Sequence, residues 1–126
     1  MERLEPRAVR GAGRERVTEL MERRGLRAGD VPQLDRLLDL VQRSERAGRA
    51  DDARRAIDRA LAVAAAVRID RSFVTAKQKR LLERAERAPP TLKAKLFDAS
   101  TEVDKKTARG DYLGANQALN RALELQ

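Results

Sequence analysis

The side chains best suited to chemistry in this 126-residue chain are basic, and they gather in one stretch. Arg68, Arg71, Lys77, Lys79, Arg80, Arg84, Arg87, Lys93 and Lys95 stand against only Asp70, Glu83 and Glu86. Residues 68–95 therefore carry +6 of the chain's +8. Guanidinium and ammonium groups at this density attract anions, whether the phosphates of a nucleic acid or the carboxylates of an acidic partner. Lys77, Arg80 and Arg84 are spaced i, i+3, i+7, which places them on one face of a helix, and Arg87 extends that face by less than a turn. The candidate set for an anionic partner is thus Arg68, Arg71, Lys77, Lys79, Arg80, Arg84 and Arg87. The plainer reading is a solvated helix surface, because Arg outnumbers Lys 22 to 6 and opposite charges are interspersed elsewhere. Aromatic residues for stacking on bases are not interleaved with this stretch, and Phe73 reads as core.

Other chemistry finds fewer participants. The chain has no His, Cys or Trp, so the commonest general base, the commonest metal ligand and all thiol chemistry are missing. Asp51–Asp52 and the i, i+4 pair Asp98 and Glu102 are carboxylate pairs that acid–base catalysis could use. The first reads more simply as a helix start and the second as a solvated face. Gly11-Ala12-Gly13 is too short for a phosphate-cradling loop, and no acidic run has calcium-loop spacing. The expectation is a non-enzyme with no catalytic residue, cofactor or metal.

The elements that would position the basic side chains are helices. Of the 52 apolar residues 21 are Ala, and Leu supplies most of the rest. Both are strong helix formers, as are the abundant Arg and Glu. β-Branched and aromatic residues, which favour strands, are scarce. Leu, Ile, Val and Phe together number only 28, so the core is expected to be thin, with helices close together over Ala. The longest apolar run, Leu61 to Val67, is far short of the ~20 residues of a membrane span. The opening residues Met1 to Pro6 lack the apolar segment of a secretory signal. The expected location is the cytoplasm.

Residues 1–13 read as a flexible basic arm, and 14–126 as a single helical domain of five to six helices. Val17, Leu20 and Met21 mark a short first helix before Gly25. Asp30-Val31-Pro32-Gln33 has the form of a capped start, with Asp30 as the cap. Leu34, Leu37, Leu38 and Val41 follow at helical spacing, up to Gly48. Asp51 or Asp52 opens a helix whose inner face is Ala53, Ala56, Ile57, Ala60 and Leu61. A break is expected near Val67–Ser72, with Asp70 or Ser72 as cap. The next helix turns Phe73, Val74, Leu81, Leu82 and Ala85 inward and stops before Pro89–Pro90. Thr91 is the expected cap of a helix carrying Leu92, Leu96, Ala99 and Val103. Gly110 and Asp111 separate it from a last helix with Tyr112, Ala115, Leu119, Ala122 and Leu123 inward. The sum is an all-α fold, a small bundle of antiparallel helical hairpins.

The chain also echoes itself. Gly48, Ala53, Ala56, Ile57, Arg59, Ala60 and Leu61 match Gly110, Ala115, Ala118, Leu119, Arg121, Ala122 and Leu123 at one constant offset. Gly ends one helix, Ala lets the next approach closely, and a larger residue fills the joint core. Gly110-Asp111-Tyr112-Leu113-Gly114-Ala115 through Arg121-Ala122-Leu123-Glu124-Leu125 resembles the turn and second helix of a tetratricopeptide repeat. Gly48, Ala53, Ala60 and Leu61 resemble the same half-repeat without the Tyr. The family repeats every ~34 residues, and the spacing here is longer. Ala99 stands where the family has an aromatic, and Glu102 and Val103 where it has Leu and Gly. The resemblance therefore implies the hairpin packing, not a regular solenoid, and it carries over no peptide-clamp residues. It implies a protein-interaction module, an adaptor or scaffold with a protein partner. The alternative expectation is a nucleic-acid-binding protein that uses residues 68–95.

Overall fold

A computed structural model describes the backbone from Pro6 to Gln126 and the side chains from Gly13 onward. The chain is all-α: six helices and no strand among the described residues. They are α1 (Pro6–Arg24), α2 (Pro32–Arg46), α3 (Ala50–Ala66), α4 (Arg71–Glu86), α5 (Pro90–Ala108) and α6 (Tyr112–Leu123). They fall into two compact units, Met1–Val67 and Arg68–Gln126, where the sequence was read as one helical domain over 14–126. The physical reason lies in the third helix of each unit. The Ala-rich faces of α3 and α6 each let two helices of their own half pack closely. The expected arm overlaps α1, which begins at Pro6; residues 1–5 lie outside the described residues.

In the first unit α2 and α1 both pack on α3. Its buried apolar residues are Val17 and Met21 of α1, Leu26 of the turn that follows, Leu34 and Val41 of α2, and Ala53, Ala56, Ile57, Ala60 and Ala64 of α3. Leu37 and Leu38, expected inward, are only half-buried. Asp30 does not cap α2. The N-cap is Val31, with Pro32 supplying the first turn. The Asp30 carboxylate instead accepts from the Arg27 amide at 2.8 Å and tightens the preceding turn.

In the second unit α4, α5 and α6 pack pairwise around Val74, Leu81, Ala85, Leu96, Val103, Ala115, Ala118, Leu119 and Ala122. The expected break after Val67 is present, and Asp70 caps α4 by accepting from the Phe73 amide at 3.0 Å. Asp111 caps α6 in the same way, from the Gly114 amide at 2.9 Å. Thr91 is not a cap. Pro89, in extended geometry, is the N-cap of α5, and Pro90 lacks the amide hydrogen that a first-turn residue would leave unused.

The echoed positions play the same part in both units. Gly48 and Gly110 have φ of +74° and +76°. At each, the next amide reaches back to a carbonyl five residues earlier: Arg49 to Ser44 at 2.8 Å, and Asp111 to Lys106 at 2.9 Å. This is the Schellman closure of a helix end, and it needs the left-handed conformation at the glycine. The Ala pairs Ala53/Ala115 and Ala60/Ala122 are all buried, as are Ile57 and Leu119. Leu61 and Leu123 are only half-buried.

Candidate functional site

The seven candidate basic residues all belong to the second unit, most of them on α4, and they do not form one surface. Arg68, Arg71, Lys79 and Arg87 are exposed, while Arg80 and Arg84 are half-buried. Lys77 is 2% exposed and cannot meet a partner in solution. Lys77 therefore does not belong to a solvated basic face, contrary to what its charge and spacing predict. The i, i+3, i+7 spacing does put Lys77 and Arg84 on a common side of α4, but that side looks at α6 rather than at water.

Lys77 has specific company there. Its Nζ donates to Asn116 Oδ1 at 2.8 Å and to Asn120 Oδ1 at 2.5 Å. The same ammonium lies 5.5 Å from the centre of the Phe73 ring, within cation–π range. Asn116 and Asn120 are one turn apart on α6, flanking the buried Leu119, and both are buried. A buried ammonium is tolerated only where polar groups replace its water, and two amide oxygens and a ring face do so here. The signal was present in the sequence. Val74, Lys77, Leu81 and Ala85 keep helical spacing, so Lys77 interrupts an apolar stripe. Asn116 and Asn120 fall within the Ala115–Leu119–Ala122 stripe in the same manner.

Arg84 closes the other end of α6. Its Nη1 donates to the Leu123 carbonyl at 2.6 Å, with the Ala122 carbonyl at 3.4 Å, and its Nη2 donates to the Leu125 carbonyl. The last carbonyls of a helix lack partners within it and carry the negative end of its dipole, so a planar, permanently charged fork fits them. Arg24 makes a related contact in the first unit, from α1 to the Ala64 carbonyl near the end of α3, at 2.6 Å.

Arg80, Arg84 and Arg87 do come together in one place. With Glu83, Ala88, Pro89 and Leu92 they line a shallow cleft where α4 gives way to α5. Arg68, Arg71 and Lys79 do not line it. Apart from charge, the second unit exposes two large apolar side chains, Phe97 on α5 (44%) and Leu113 on α6 (63%). In the first unit Leu40 is 40% exposed.

Among the described residues no group of three or more acidic side chains is arranged to hold a metal ion. No described helix is long and apolar enough to cross a membrane. Comparison of the chain with known protein families, curated proteins and solved structures finds no match.

Proposed function

We propose that this chain is a protein-interaction module, a non-catalytic adaptor or scaffold that needs no cofactor and works in the cytoplasm. The observation that carries the choice is the use made of Lys77 and Arg84. The first is buried against Asn116 and Asn120 and the second is spent on the end of α6, so the basic face is thinner than the sequence suggests. The exposed Phe97 and Leu113 add apolar surface of the kind a protein ligand covers. The sequence resemblance of the segments after Gly48 and Gly110 to half of a tetratricopeptide repeat supports the same reading.

A second reading, nucleic-acid binding, draws on the exposed Arg68, Arg71, Lys79 and Arg87. Affinity purification from the native host, with and without nuclease, separates the two. A partner retained after nuclease treatment is expected. Direct titration with duplex DNA and RNA is expected to give only weak binding that fades with salt, because a few phosphate contacts bind through counterion release alone. Tight, sequence-selective binding at physiological salt, lost in an Arg71→Gln/Lys79→Gln/Arg87→Gln variant, would reverse the choice.

A further inference from the structure

We propose that the cleft at the junction of α4 and α5 docks an acidic segment of a protein partner around an apolar anchor. This rests on the protein-interaction reading above and gives that reading a location and a chemistry. Part of the cleft lining is aliphatic: Ala88, Pro89 and Leu92. Arg80, Arg84 and Arg87 complete the lining with Glu83, and the aliphatic stems of the arginines add to its apolar part while their guanidinium heads stay polar.

The charge selects the occupant. Residues 68–95 hold +6, and the cleft sits within them. Arg87 is exposed and lines the cleft, so a carboxylate can pair with it in two parallel hydrogen bonds. Arg84 is held by the carbonyls of Leu123 and Leu125, so it shapes the lining and leaves Arg87 as the exposed arginine that meets the carboxylate. Two features favour a protein segment over a nucleic acid. No aromatic residue lines the cleft to stack on a base. Glu83 stands among the arginines of the lining, where its charge opposes a continuous run of phosphates. An acidic stretch with a central aliphatic side chain matches the charged and the aliphatic parts of the lining together.

The test uses the whole chain and a fluorescein-labelled peptide of glutamates flanking a central leucine, read by anisotropy. The peptide is expected to bind at low salt and to weaken about tenfold in Arg87→Glu. Arg68→Glu makes the same charge change on a residue outside the cleft and is expected to stay within about twofold of the unmodified chain. Removing the central leucine from the peptide is expected to weaken binding about tenfold or more, the loss of one apolar anchor in a hydrophobic pocket. Three results would overturn the proposal. One is equal weakening by Arg68→Glu and Arg87→Glu, or an all-glutamate peptide binding as tightly, either of which reduces the effect to bulk charge. Another is a single-stranded oligonucleotide that binds more tightly than the peptide and is lost in Arg87→Glu, which would remove the protein-interaction reading as well. The third is a purified protein partner, stable to nuclease, that binds Arg87→Glu unchanged. That would remove the cleft and leave the module standing.

Discussion

Lys77 on α4 donates to Asn116 on α6 across 2.8 Å, inside the core of the second unit. With Asn120 it forms a buried polar bridge that joins one turn of α4 to two successive turns of α6. Asn116→Ala removes an acceptor from a buried charge and is expected to cost about 1.5–3 kcal/mol, read as a lower midpoint in denaturant. A combined Lys77→Met/Asn116→Leu/Asn120→Leu variant exchanges the whole bridge for apolar packing, and its expected stability equals or exceeds that of the unmodified chain. An unchanged midpoint for Asn116→Ala would show that the bridge adds nothing.

The same geometry alters what neutralising the basic stretch does. Sequence spacing suggests that replacing Lys77, Arg80 and Arg84 with Gln leaves stability alone. The structure predicts the opposite, since Lys77 is buried and Arg84 holds the carbonyls that end α6. Arg84→Gln alone is expected to speed amide hydrogen exchange in the last turn of α6 relative to α5. The exposed set Arg71, Lys79 and Arg87 is expected to tolerate the same change within about 0.5 kcal/mol. Equal exchange in Arg84→Gln and the unmodified chain would refute the capping role.

Small side chains at the α5–α6 and α2–α3 contacts carry the next expectation. Ala115→Leu and Ala60→Leu overpack fully buried sites and are expected to cost about 1–3 kcal/mol each. Leu119, not Leu123, is the residue whose truncation should leave a full cavity, at roughly 2–5 kcal/mol, because Leu123 is only half-buried. Thermal melts ranking Leu123→Ala as the more damaging would contradict this placement.

Gly110 and Gly114 are required for different reasons. A Cβ on Gly110 would meet nothing within 4 Å, yet its φ of +76° strains any L side chain. Gly110→Ala is expected to cost about 1–2 kcal/mol through the backbone alone, with Gly110→Asn milder. A Cβ on Gly114 would instead run into the Asp111 carboxylate that caps α6. Gly114→Ala is therefore expected to lose the cap, and a preceding Asp111→Ala change should erase most of its effect in a double-mutant cycle. Additive losses would separate the two residues.

Thr107 offers a gain. Its hydroxyl oxygen is buried and makes no hydrogen bond among the described residues. Thr107→Val keeps the shape and removes the unsatisfied group, so the melting temperature is expected to hold or rise. A fall would mean that the hydroxyl has a partner in solution.

Helix starts and stops were legible because they depend on local chemistry: Asp70 and Asp111 as caps, Gly48 and Gly110 as closures, Pro89–Pro90 as a stop. The echo between Ala53–Leu61 and Ala115–Leu123 pointed to matching hairpins for the same reason. The division into two units was not legible, since it depends on which helices share a core rather than on where each begins. Thr91 misled because Pro90 occupies the first-turn position before it. Lys77 misled because charge counts place every lysine outside, while helical spacing also places it in line with Val74 and Leu81. Only the two asparagines on α6, some forty residues later, decide between those positions.

The grouping of helices has a consequence for biosynthesis. The side chains that fill the first core, from Val17 to Ala64, all lie in the first half of the chain. A chain that leaves the ribosome from its amino end can therefore complete that half before α6 has been translated. Lys77 then waits for Asn116 and Asn120, an exposed ammonium until the last helix emerges. Both acceptors of that ammonium sit on α6, so the second unit cannot bury it with its partners in place until its third helix has joined.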